Sequence, residues 1–178
     1  MLPIVLAACS RPSDTDSVTA VDLVRTFDRA EKRPPAGFDV SSYELAGVAR
    51  VAIAATVPSR AIWSLRLPHR GVFRAFVALA PEAAGAARIR VGISDDRIYE
   101  GLAEAVLPAG STQWVEVAAD LRAYAGWQWS LFYHPDRVTW RIVLASDAMS
   151  ALPARVLWGA PQIHTDTDSA LEYVRRGA

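Results

Sequence analysis

Arg88-Ile89-Arg90-Val91-Gly92-Ile93-Ser94 alternates a branched aliphatic residue with a residue that has no place in an apolar core, or no side chain at all. Successive side chains of a strand point to opposite faces, so Ile89, Val91 and Ile93 share one surface while Arg88, Arg90 and Gly92 share the other. One face in a core and one in water is the pattern of an antiparallel sheet. The same pattern extends outward along the chain. Short apolar or alternating runs predict strands near Phe38–Leu45, Ala49–Val57, Ala61–Leu67, Val72–Leu79, Ile98–Leu107, Trp114–Ala119, Trp127–Tyr133, Val138–Ala145 and Arg155–Ile163. Ala46-Gly47, Asp95-Asp96 and Pro135-Asp136 supply turns between them.

About ten such strands with no intervening helical periods exclude a parallel βαβ sheet and predict two stacked antiparallel sheets. The fold class expected is therefore all-β, a two-sheet jelly-roll sandwich over residues 36–164. Ahead of it, Val21, Val24 and Phe27, with Leu23 and Ala30 beside them, recur at spacings of three and four after a capping Ser17. That spacing predicts one amphipathic helix over 17–35, ended by Pro34-Pro35 and packed on the domain. Residues 165–178 read as a solvated C-terminal tail.

The chain has 178 residues, 52% of them hydrophobic and 21% charged, enough for one domain with a true core. Lys plus Arg and Asp plus Glu are each 19, so no bulk positive field draws in phosphate backbones, and nucleic acid is not an expected partner. The basic side is almost wholly arginine, Lys32 being the exception, which reads as genomic compositional bias. Cys9 is the single cysteine, so no disulfide can form within the chain and the core alone must hold the fold.

Cys9 follows the apolar run Met1-Leu2-Pro3-Ile4-Val5-Leu6-Ala7-Ala8, which ends in small residues. Leu6-Ala7-Ala8-Cys9 resembles the bacterial lipobox. The resemblance implies that residues 1–8 are a signal peptide and that Cys9 carries a diacylglyceryl group, making membrane lipid a partner. Acyl burial contributes roughly 0.8 kcal/mol per CH₂, and two chains give firm anchoring. Residues 9–16, polar and aperiodic, would be the tether. No Lys or Arg precedes Cys9, a departure from the usual basic n-region.

A second likeness lies in Trp114-Val115-Glu116-Val117-Ala118-Ala119-Asp120-Leu121-Arg122-Ala123-Tyr124-Ala125-Gly126. It resembles a segment of galactose-binding-domain-like jelly rolls in which a strand runs into a short turn and a Gly opens the next core strand. Arg60-Ala61-Ile62-Trp63-Ser64-Leu65-Arg66-Leu67-Pro68 and Leu157-Trp158-Gly159-Ala160-Pro161-Gln162-Ile163 are similar to flanking strands, the second being the closing one. Modules of this kind stand ahead of exported sulfatases and other hydrolases, so the resemblance implies a binding or accessory role for a carbohydrate or another cell-surface component.

Catalytic signals are sparse. Ser10-Arg11-Pro12-Ser13-Asp14 begins like a sulfatase nucleophile motif and fails at position 14, where Arg is required. His69, His134 and His164 lack second ligands at zinc spacings. His164, Asp166 and Asp168 would share a face if extended, but their place in a polar tail favours solvation over a cation. Glycine-rich phosphate loops and G-x-S-x-G are absent. No catalytic residue, metal or cofactor is expected. Trp140 alternates with Val138 and Ile142 and belongs to a core. Trp127, beside a loop at a strand end, is the candidate ligand platform, because aromatic faces stack on sugar rings and the indole adds an N–H donor.

Overall fold

The structure, a computed structural model, describes residues 17–125 and 139–177. Its strands are β1 (Ser17–Asp22), β2 (Glu31–Arg33), β3 (Phe38–Leu45), β4 (Val48–Thr56), β5 (Ser59–Leu65), β6 (Val72–Leu79), β7 (Ala87–Ser94), β8 (Tyr99–Leu107), β9 (Val115–Asp120), β10 (Trp140–Ala148) and β11 (Arg155–Asp166). One helix follows, α1 (Thr167–Arg175). Among the described residues one sheet runs β3-β4-β11-β6-β9 with β1 also paired to β11, and the other runs β2-β5-β10-β7-β8. Every pairing is antiparallel.

The alternation in β7 is realised as expected: Ile89, Val91 and Ile93 are buried while Arg88 is exposed. They share one core with Ile142 and Leu144 of the neighbouring β10 and, from the facing sheet, with Phe73 and Val77 of β6 and Val156 and Trp158 of β11. The indole N–H of Trp158 donates to the Ser146 hydroxyl at 3.1 Å, a buried polar link from one sheet to the other. Each buried donor needs such an acceptor, since an unpaired one costs about 1–3 kcal/mol.

β11 holds the first sheet together. One flank pairs with β6 from Val156 to His164; the other pairs with β4 over Arg155–Gly159 and with β1 over Gln162–Asp166. The register slips between Gly159 and Gln162, where Ala160 takes a left-handed φ of 43°. That extra residue lets Val156 and Trp158, and then Ile163, all face the core despite their odd spacing. Gly159 leaves room for the Trp114 ring, whose Cζ3 would lie 2.9 Å from a Cβ placed there.

Two expectations are corrected. Residues 17–35 are not a helix: Ser17–Asp22 is a strand, Phe27–Arg29 a single 3-10 turn and Glu31–Arg33 a second short strand. The Asp22 carboxylate accepts the N–H groups of Val24 (2.9 Å) and Arg25 (3.1 Å), turning the chain at the point where a helix would have continued. The apolar spacing was real, for Leu23, Phe27 and Ala30 are buried, but turns deliver it. Nor is 165–178 a tail. Thr165 and Asp166 close β11, and Asp166 caps α1 by accepting the Ser169 N–H at 2.9 Å. Extension therefore stops at Asp166, and the His164, Asp166, Asp168 face does not form.

Candidate functional site

A cleft of 810 Å³ opens where β1 and the turn after it approach the end of β5 and the C-terminal end of α1. Its lining is assembled from distant segments: Thr19 to Asp22, Arg25, Thr26 and Arg29; Trp63 to Arg66; Thr139; Gln162; and Tyr173 with Gly177. The local chemistry explains how these meet. Strand β1 is drawn onto β11 with Asp22 opposite Gln162, and the Asp22 turn then directs Arg25 and Arg29 across the opening. At the far wall the Tyr173 hydroxyl donates to the Arg66 carbonyl (3.2 Å) and the Arg66 guanidinium donates to the Arg176 carbonyl (3.1 Å), fastening α1 to the end of β5. Burial pushes the Tyr173 phenol up and the neighbouring Arg66 charge pulls it back, so it stays a neutral donor at ordinary pH.

The inner wall is Trp63, 3% exposed and tilted against Phe27 at 6.0 Å between ring centroids. Its indole N–H is buried without an acceptor. Asp22 is partly engaged by its own turn and by Gln162 at 3.5 Å. The rim thus offers guanidinium, amide, hydroxyl and phenol groups around an opening of the size typical of small-molecule sites, about 300–1,000 Å³.

A second aromatic group lies on the outer face of the first sheet. Ala52, Ala54, Ala78 and Leu157 form a buried floor there, with Tyr43 and Trp114 packed against it. Its rings are already in use. The Arg50 guanidinium sits 3.4 Å from the Phe76 centroid, and the Trp114 N–H donates to the Val48 carbonyl at 3.0 Å. This face is a small accessory core, and the cleft is the better-formed site.

Cys9 and Trp127, the residues singled out from sequence for lipidation and for ligand stacking, lie outside the described residues, as do His134 and the strand expected at Trp127–Tyr133. Trp140 is half-buried, packs on the main core and meets Tyr124 edge-on at 5.4 Å. Among the described residues no three His, Cys, Asp or Glu side chains gather as a metal site, and no helix is long and apolar enough to cross a membrane. Sequence reasoning missed the cleft, because Arg25 and Arg29 fall within the helix expected over 17–35, which does not form. The usable signal was Asp22, a turn-forming residue directly after a Val-Thr-Ala-Val run that suits a strand.

No protein-family model matches the sequence, and no curated protein matches it either. Solved structures do match. The CBM51-2 module in complex with GlcNAc, with INT domains, from Clostridium perfringens ZmpB aligns at a TM-score of 0.54 and 12% identity, over 78% of this chain and 30% of that one. The M60 catalytic domain with CBM51-1 and CBM51-2 of the same protein aligns at 0.52 and 12% identity, over 77% of this chain and 14% of that one. TmCBM61 in complex with beta-1,4-galactotriose aligns at 0.50 and 8% identity, over 82% of this chain and 97% of that one. This chain therefore spans less than a third of the ZmpB chains it matches, and nearly the whole of TmCBM61. At such identities the likeness is one of fold: the chain is a two-sheet antiparallel sandwich of the kind seen in these carbohydrate-binding modules.

Proposed function

We propose that this chain is a non-catalytic carbohydrate-binding module, exported and held on a bacterial membrane surface by an acylated Cys9. The observation that carries the binding half is the cleft: Gln162, Ser64, Thr26, Tyr173 and three arginines converge on 810 Å³ at one end of the sandwich. Sugars are recognised by such convergent donors and acceptors, each unpaired group costing affinity if the fit is wrong. The fold adds support, since modules with this architecture hold GlcNAc and beta-1,4-galactotriose in their structures. The anchoring half rests on Leu6-Ala7-Ala8-Cys9 and the polar stretch behind it.

A glycan array probed with the full chain tests the binding half. Specific signal on at least one glycan class is expected, and Ser64→Trp, which fills the opening from its exposed rim, should abolish it while leaving the melting temperature within a few degrees. An array with no signal above background refutes the reading. For the anchor, Cys9→Ala should move the protein from the membrane to the soluble fraction; unchanged membrane association of that variant overturns it.

A second reading, that the chain is the accessory domain of a larger hydrolase, is favoured by the ZmpB structure in which similar modules accompany an M60 catalytic domain. Sequencing the genomic frame beyond Ala178 decides it, since an uninterrupted catalytic domain is the expected result and an immediate stop codon the contrary one.

A further inference from the structure

Arginines elsewhere on this surface are mostly neutralised. Arg60 and Arg90 share Asp147, Arg141 reaches Asp96 and Glu31, and Arg122 closes on Asp120. The cleft gathers three that are not. Arg25, Arg29 and Arg66 all line it, and among the described residues none of the three makes an ion pair. Arg66 donates to a backbone carbonyl, which leaves its charge uncompensated. Among the described residues Asp22 is the only carboxylate in the lining, and its oxygens already accept from two backbone N–H groups and Gln162. Behind these charges stands the Trp63 N–H, buried and without an acceptor.

Three like charges around one opening repel one another, and a buried donor without a partner is costly. The repulsion is removed by one ligand feature, an anionic group with several acceptor oxygens. Guanidinium groups suit that role because their planar forks bind carboxylate and sulfate oxygens in pairs. We infer that the cleft selects acidic saccharides, sugars bearing a carboxylate or a sulfate ester, over neutral ones. This inference rests on the carbohydrate-binding reading and adds the ligand class to it. Neutral hydroxyls of the same sugar would meet Gln162, Ser64 and Thr26, while Arg25, Arg29 and Arg66 take the charge.

The experiment pairs each acidic glycan with its own neutral form. Polygalacturonate is set against its methyl ester, and sulfated polysaccharides against their desulfated backbones, with the full chain titrated against all of them at low and high salt. The expected result is binding to an acidic member that falls about tenfold or more when its charge is removed, and that weakens as salt rises. Arg29→Gln and Arg25→Gln should each lower that affinity by about tenfold and flatten its dependence on salt, with unchanged melting temperature. Equal affinity for charged and uncharged partners, or binding to neutral glycans alone, overturns the inference while preserving the carbohydrate reading. Absence of binding to either form, with a glycan array also blank, overturns both.

Discussion

Glycines 85 and 92 look alike in sequence, each set among small or apolar neighbours, yet they answer to different constraints. A Cβ on Gly85 would lie 2.4 Å from the Leu152 carbonyl oxygen, which is backbone held by the Pro153 carbonyl's bonds to the Ala84 and Gly85 N–H groups. A Cβ on Gly92 would lie 2.3 Å from the Tyr99 hydroxyl, the far end of a side chain that is 48% exposed and can swing into water. Backbone cannot retreat without breaking hydrogen bonds, whereas a surface ring can rotate away. Gly85→Ala should therefore cost about 2–3 kcal/mol and Gly92→Ala about 1 kcal/mol or less, read from urea unfolding midpoints. The reverse order would show that the Tyr99 ring is fixed in place.

At the scale of elements, α1 depends on one carboxylate. The Ser169 N–H and hydroxyl hold the Asp166 carboxyl below the ordinary carboxylate range, with Arg70 adding to the effect. A depressed native pKa means that the cap's contribution is fully present above the unfolded value of about 3.9, and is lost as pH falls through the native value. Helical circular dichroism from α1 should thus be flat from neutral pH to about 4 and decline below it. Asp166→Ala should cost about 1 kcal/mol at neutral pH and remove that Asp166-linked acid sensitivity, whereas Asp166→Asn should retain most of the cap. Loss of helix already at pH 6 would contradict this assignment. The same element marks where sequence reading stopped. From Phe38 to Leu107 strands declared themselves by alternation and their ends moved by only a residue or two, while the ends of those expected at Trp114–Ala119, Val138–Ala145 and Arg155–Ile163 moved by up to three. The two terminal segments did not, because Leu23, Phe27 and Ala30 carry a helical spacing that turns can also satisfy, and because Leu171 and Val174 of α1 face water and leave little apolar stripe to read. The cleft was illegible for another reason: Asp22, Ser64, Gln162 and Tyr173 become neighbours only through pairing across the sheet and docking of α1.

For the molecule as a whole, the two sheets share one core, and the Trp158 to Ser146 link spans it. Ser146→Ala leaves a buried indole N–H without an acceptor and should cost about 1–3 kcal/mol. In Trp158→Phe that N–H is already gone, so adding Ser146→Ala should cost little more; a double-mutant cycle by urea unfolding measures the difference. A coupling energy near zero would mean that the bond contributes nothing to sheet association. Trp158→Ala, which empties a large space at 2% exposure, should cost about 3–5 kcal/mol and unfold both sheets in one transition.

β1 is the first strand, and its Thr19 to Asp22 stretch is also a wall of the cleft. Any mechanical tension on the chain ahead of Ser17 reaches the sandwich through its pairing with β11, from Ser17 opposite Asp166 to Asp22 opposite Gln162. Tension applied at the N-terminus would therefore load the cleft before the core. Peeling β1 away dismantles one side of the cleft while leaving the β4, β11 and β6 pairings standing, so the cleft would give way under load before the fold does, and would re-form when the strand zips back.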